Sequence, residues 1–185
     1  MRNLIYAINL TIDGCCDHTK MRPDDEMFDY HIGLVRDADL LVYGRKTYQL
    51  MVPYWPDVLK NAANEESSDV EFAEAFVAAR KVVFSRTLEK AEEETTKIFR
   101  TNLKEETLKL KQEQGKSILT GGADIPSQLI QLGLVDEYHI VIHPVIAGEG
   151  RRLMEGIILQ DPLKLKLAGS KVFKSGQIAL HYVKQ

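Results

Sequence analysis

Very little in this chain announces a function. Only two of its 185 residues are cysteine, Cys15 and Cys16, and they are neighbours. Adjacent cysteines are poorly placed to bridge each other and there is no third thiol, so a disulfide framework is excluded and a reducing, cytoplasmic setting is expected. No apolar run approaches the roughly 20 residues needed to span a bilayer, so no membrane role is expected. The opening MRNLIYAINLTIDG alternates apolar with polar groups and has no small-residue cleavage site, which reads as a first strand rather than a signal peptide. A net charge of −3 supplies no global attraction for nucleic acid, and no nucleic-acid partner is expected. A Gly-x-Gly-x-x-Gly fingerprint, a Walker loop, an internal repeat and a low-complexity linker are all missing. The 44% hydrophobic and 28% charged content is ordinary for a globular protein, and the length suits one domain over residues 1–185.

The pattern that is present alternates strands with helices. Residues 3–12 are β-like and run into an Asp13–Gly14 turn. Residues 24–36 form a helix with Met27, Tyr30, His31, Leu34 and Val35 on one face. LLVYG (40–44) is a short strand, and RKTYQLM opens the next helix. Ser68 and Glu71 have the spacing of a capping box for a helix carrying Phe72, Ala73, Phe76 and Val77. KVVFS (81–85), a short piece near Ile98, SIL (117–119) and EYHIVIH (137–143) read as further strands. Helices fall at about 103–114, with Gly115 placed as a left-handed cap, and at 125–132, stopped by Gly133. The end alternates in two runs joined at Ser175–Gly176, an antiparallel hairpin. The expected fold is α/β, a mostly parallel central sheet flanked by helices with a C-terminal antiparallel hairpin.

Ligands of open parallel sheets bind outside the carboxyl ends of the strands, and three such junctions stand out. In VYGRKTY, Gly44 ends a strand and Arg45, Lys46 and Thr47 fill the first turn of a helix. Cations there oppose the helix dipole, which favours an anionic partner over a merely solvated helix start. In VVFSRTL, Ser85 and Arg86 place a hydroxyl and a guanidinium at a strand end, a pairing suited to a phosphate monoester, although a lone surface Arg is common. In LTGGADIP, Gly121 and Gly122 spend backbone entropy before a helix near Asp124, which reads as a tight turn or a close approach to an anion. Together the three junctions describe a dinucleotide, and the extra monophosphate site points to NADPH over NADH.

GRKTY, FSRTL, LTGGADI and VDEYHIVIHPVIAGEGRRLME, in this order over essentially the whole chain, resemble the dihydrofolate reductase-like fold. They are most similar to stand-alone relatives of the C-terminal reductase domain of the riboflavin-synthesis deaminase–reductase, with HPVIAGEG (143–150) the most specific segment. The resemblance implies NADPH as hydride donor and a homodimer. It implies that Gly44, Arg45, Lys46 and Thr47 hold cofactor phosphates, that Ser85 and Arg86 hold the 2′-phosphate, and that Gly121, Gly122, Ala123, Asp124 and Ile125 form the pyrophosphate turn.

The substrate half departs from that pattern. Riboflavin-type reductases commonly carry Lys where this chain has Cys15 and an acidic residue where it has Thr120, and dihydrofolate reductases hold the pterin with a first-helix carboxylate, near Asp25, Glu26 and Asp29 here. Asp13 is a candidate proton donor, with turn capping as its alternative and water as the other proton source. Trp55, between two prolines, reads either as a substrate-stacking lid or as a buried loop anchor. Cys15, Cys16 and His18 make a poor metal set, so no metal is expected, and His139, His143 and His181 read as structural. The expected activity is NADPH-dependent hydride transfer to a small heterocyclic (pterin- or pyrimidine-like) or carbonyl substrate. The alternatives are 5-amino-6-(5-phosphoribosylamino)uracil reduction and a non-catalytic NADPH-binding module.

Overall fold

Leu4, Tyr6, Ile8 and Leu10 of the first strand pack into one hydrophobic layer, while Ile5 and Ala7 face the layer on the other side. A strand buried on both faces belongs at the centre of a sheet covered by helices twice. The computed structural model, which describes residues 1–185, places it there. In chain order the elements are β1 (Leu4–Thr11), α1 (Asp25–Arg36), β2 (Ala38–Gly44), α2 (Arg45–Lys60), α3 (Ser67–Ala78), β3 (Arg80–Phe84), β4 (Lys97–Phe99) and α4 (Leu103–Gln112). There follow β5 (Ser117–Thr120), α5 (Asp124–Gln131), β6 (Glu137–His143), β7 (Leu165–Val172) and β8 (Ile178–Lys184). The sheet order is β4-β3-β2-β5-β1-β6-β8-β7. Strands β1 to β6 pair in parallel, and β8 pairs antiparallel with both β6 and β7. Helices α1, α2 and α3 cover one face, and α4 and α5 the other.

The α2 helix runs through Pro53 and Pro56, where the sequence suggests an exit into a loop. Each interior proline costs about 3 kcal/mol. Against that, Tyr48, Val52, Trp55 and Val58 are buried along one face, each contributing roughly 1.5–3 kcal/mol. Burial wins, so Trp55 is a helix residue and no loop lid.

Two further expectations give way to packing. The Ser68–Glu71 capping box does not form, because α3 starts at Ser67 and both side chains serve α1 instead. Ser68 Oγ donates to Asp25 at 3.1 Å and Arg36 donates to Glu71 at 3.2 Å. Gly115 is not a left-handed cap, since its φ is 152° and α4 already ends on an extended Glu113. A Cβ at Gly115 would crowd Asp39 Oδ2 at 2.4 Å, so this approach and the positive φ together account for the glycine.

Candidate active site

Helix α2 begins directly at the end of β2, and α5 begins four residues after β5 ends. Neither helix has a side-chain cap at its N-terminus. Each first turn therefore keeps unpaired backbone N–H donors and the positive end of its dipole. Both first turns line one open cleft of about 260 Å³, formed by Gly44, Arg45, Lys46 and Thr47 from one side and Ala123, Asp124 and Ile125 from the other.

Of the paired glycines, Gly122 is the one that requires its identity. Its φ is 83°, and a Cβ there would lie 2.2 Å from Thr47 Oγ1. A Cβ at Gly121 would meet Ala7 O and Tyr43 at 3.6 Å, an ordinary contact. The Gly122 carbonyl accepts from buried Tyr6 Oη at 2.9 Å, which anchors the turn to β1. Gly44 lets α5 come close, since a Cβ on it would lie 2.9 Å from the Ile125 side chain.

Arg151 completes the cleft, and sequence reasoning did not single it out although it lies in the quoted HPVIAGEGRRLME run. It donates to Asp124 Oδ1 at 2.6 Å, and this bond, above all, holds the Asp124 carboxyl below the usual carboxylate range. Next along, and sharing Phe84 and Ile125, a second groove of about 350 Å³ holds Ser85, Arg86 and Arg100. Arg100 donates to the backbone carbonyls of Arg86 and Glu89, which holds its guanidinium against the turn that carries Arg86. Ser85 Oγ accepts from the backbone N–H groups of Thr87 and Leu88 and so shapes the turn that carries Arg86.

One helical turn beyond Thr47, α2 contributes Leu50, Met51, Tyr54 and Trp55 to a third cavity of about 430 Å³. Eight of its thirteen lining residues are hydrophobic, and the β1 residue Asn9, the β6 terminus His143 and His31 of α1 supply polar groups. Seven buried polar side-chain atoms in the molecule find no protein partner, and three of them are Asn9 Oδ1, His143 Nε2 and Trp55 Nε1. An unmet buried group costs about 1–3 kcal/mol, so their gathering around one cavity marks a place completed by an occupant. His31 Nδ1 donates to Met27 O at 2.9 Å, and burial pushes the imidazole pKa down. The neutral ring then keeps Nε2 as an acceptor.

Several expected substrate residues stand elsewhere. Asp13 accepts from Ala147 N and Gly148 N at 3.0 Å and from Thr11 Oγ1 at 2.5 Å. These bonds, the Thr11 hydroxyl first, hold its carboxyl far below the usual range, so it ties a loop and has no proton to give at neutral pH. Cys15 is fully buried with its Sγ beside Gly150, and Thr120 is buried and donates to Val42 O at 2.7 Å. Asp29 is exposed, and neither it, Cys15 nor Thr120 lines any of these cavities. The α1 wall is made by Met27, Phe28 and His31 instead. The reading of His143 as a satisfied structural histidine also fails, because its Nε2 is buried without a partner.

The other two strand histidines are satisfied. His139 Nδ1 meets Tyr30 Oη at 2.6 Å, and His181 Nε2 meets Glu137 at 3.0 Å. Glu137, His139 and His181 bring their ligand atoms within 4.8 Å of one another. The two rings are stacked, however, at 4.2 Å and 17°. Stacked rings send their in-plane lone pairs along parallel planes rather than to one point, so the cluster as built does not chelate.

The RibD C-terminal domain family matches residues 2–179 of the sequence. The chain belongs to that family. It is 33% identical to the Bacillus subtilis (strain 168) protein YyaP, itself uncharacterized, over 98% of this chain and 94% of that protein. A putative riboflavin biosynthesis protein from Shewanella sp. PV-4 shares the fold over 100% of this chain and 99% of its own, with a TM-score of 0.73 and 18% identity. A diaminohydroxyphosphoribosylaminopyrimidine deaminase/5-amino-6-(5-phosphoribosylamino)uracil reductase from Thermotoga maritima does so at TM-score 0.69 and 17% identity, this chain spanning 57% of its length. The sequence resemblance and the α/β fold with its antiparallel C-terminal strands agree with these matches. No helix is long and apolar enough to cross a membrane.

Proposed function

We propose that the protein is an NADPH-dependent reductase of a small planar substrate, working in the cytoplasm. The observation that carries this is continuity. A groove lined by Arg86 and Arg100 adjoins a cleft under two uncapped helix N-termini, and α2 leads from that cleft to an apolar cavity, all at the carboxyl ends of the strands. The residues present fit an extended dinucleotide phosphate. Arg86 and Arg100 suit a phosphate monoester, since guanidinium groups bind phosphate with two parallel bonds. The free amides of α2 and α5, with Arg45, Lys46 and Arg151, suit a pyrophosphate. Gly122 lets the turn before α5 pack directly against Thr47 in the first turn of α2. Bound there, NADPH supplies a hydride to the substrate, which is the cofactor's own chemistry. The chain's part is to orient and to exclude water: α2 spans both regions, and its Leu50, Met51 and Trp55 form an apolar wall one to two turns from the phosphate end. Asp13 accepts hydrogen bonds from Thr11, Ala147 and Gly148 and does not line the cavity, which leaves water as the proton source in this reading.

Titrating purified protein with NADPH, then adding pterins, pyrimidines and quinones while following loss of nicotinamide absorbance, tests this reading. Oxidation that depends on one substrate class supports it. Tight binding with no turnover on any compound would favour a binding module, and no NADPH binding at all would sink both. Family membership also supports a second reading, reduction of a phosphoribosylamino-uracil as named for the Thermotoga relative. Rescue of a strain lacking that step tests it.

A further inference from the structure

The cavity between α1 and α2 has a chemical character that narrows the substrate, on the reading that it is the substrate end of a reductase. None of its thirteen lining residues is Asp, Glu, Lys or Arg. Its hydrogen-bonding groups are an amide at Asn9, an indole N–H at Trp55, the Tyr54 hydroxyl and the imidazoles of His18, His31 and His143. Burial pushes the His31 and His143 pKa values down, so both rings stay neutral at physiological pH. Charged ligands need paired or charge-assisted partners once desolvated, and this wall offers none of fixed charge.

The mouth adds a second, independent observation. An adjoining depression shares Pro23, Phe28, Tyr54 and Trp55 with the cavity and is otherwise lined by Asp24, Asp25, Glu66 and Asp69. Burial, with nearby Glu65 and Asp25, raises the Asp69 pKa, which reports crowding of like charge there. A rim of one sign repels ligands of that sign and filters what enters. Aromatic side chains meet at the same place: Trp55 lies 4.5 Å from Phe72 and 4.9 Å from Tyr54 between ring centroids. Such rings favour a flat partner that can stack or meet them edge to face.

We propose that this cavity takes an uncharged planar heterocycle, hydrogen-bonded by Asn9, Trp55 and His143, and turns away anionic or phosphorylated ones. The cleft suited to phosphate lies one to two turns away, at the N-terminus of α2, where the proposed cofactor belongs. Discrimination at the cavity is by desolvation and rim repulsion rather than by shape alone.

Two pterins that share a ring and differ in charge, 6-methylpterin and pterin-6-carboxylate, test the claim. Each is titrated by calorimetry into the full chain, free and preloaded with NADP⁺. Trp55 is the sole tryptophan, so its emission reports occupancy of this cavity directly. The uncharged compound should bind about tenfold tighter or better, a difference that narrows with salt. Reversing the rim with Glu66→Lys and Asp69→Lys should cut that preference several-fold without moving the thermal midpoint. Asn9→Leu should weaken the uncharged pterin while leaving NADP⁺ binding unchanged. Equal affinity, tighter binding of the carboxylate, or failure of both compounds to bind would overturn the proposal. The readout needs no turnover, so discrimination without NADPH oxidation would sink the reductase reading alone.

Discussion

Arg151 donates a hydrogen bond of 2.6 Å to Asp124 across the anion cleft, joining the loop after β6 to the first turn of α5. A bare carboxylate in that turn would repel a phosphate, and the guanidinium neutralises it while keeping further donors free. Arg151→Ala should therefore weaken NADPH and NADH alike, since both carry the pyrophosphate. The expected loss is roughly three- to tenfold, kept modest because both side chains are more than a third exposed. Adding Asp124→Asn should restore part of it. Calorimetric titration of the single and double variants checks this, and additive losses would show that the two act separately.

The cofactor's adenosine end makes a contrasting prediction. Arg86→Ala and Arg100→Ala should each weaken NADPH far more than NADH, by about ten- to a hundredfold, the worth of a charge-assisted contact of roughly 1.5–3 kcal/mol. Equal losses for the two cofactors would place the 2′-phosphate elsewhere.

Gly122→Ala combines two costs that can be separated. A side chain at φ 83° costs about 1–2 kcal/mol, and its Cβ would overlap Thr47 Oγ1 at 2.2 Å. Thr47→Ala in the same chain should relieve the overlap but not the backbone strain. Denaturant midpoints of the two variants would tell these apart, and full recovery in the double variant would mean that strain contributes nothing.

Acid stability should follow His139. Burial first, then the neighbouring His181, pushes its pKa from 6.5 to about 4, with Glu137 opposing. Its folded pKa is depressed, so the unfolded chain binds the extra proton between those values. The stability is complete above about pH 6.5 and is lost as pH falls toward 4, by about 1–3 kcal/mol. His139→Gln should flatten that slope in denaturant titrations. An unchanged slope would assign it to other groups, such as His31.

The alternation of strands and helices was plain from hydrophobic spacing, because a sheet covered twice needs apolar strands and one-sided helices. The cofactor end was legible for a related reason: chain order alone puts strand termini and helix starts side by side. Arg151 was missed because its loop reaches the cleft only through folding, and Arg100 because the strand it follows, β4, is only three residues long. Trp55 was misread because proline chemistry was weighed above the 48, 52, 55, 58 spacing that marks a buried helical face. The substrate cavity was the least legible part. Asn9 did carry a signal, a polar side chain in a strand buried on both faces, but His143 gave no hint that it would lack a partner.

The face of β6, β8 and β7 turned away from α1 leads to the last prediction, that the protein is a homodimer. Paired residues across a ladder share a face, so Leu167 with Tyr182, Ser170 with Leu180 and Val172 with Ile178 point together, opposite His181 and buried Ala179. No helix covers the outer part of this face: Val172 is 71% exposed and Leu167 is 52% exposed. Of the strand lysines, Lys166 and Lys171 pair with Val183 and Ala179 and so face the α1 side, while Lys184 shares this face only at its far end, where it is tied to Gly133 O at 2.8 Å. An exposed apolar stretch at Leu167 and Val172, with no lysine free beside it, is expected to meet its own copy across a two-fold axis. Light scattering at micromolar concentration should give twice the chain mass of 21.0 kDa, about 42 kDa. Leu167→Glu with Val172→Glu should halve it while leaving the circular dichroism of the fold intact. A wild-type mass near 21.0 kDa would end the claim and leave the face needing another partner.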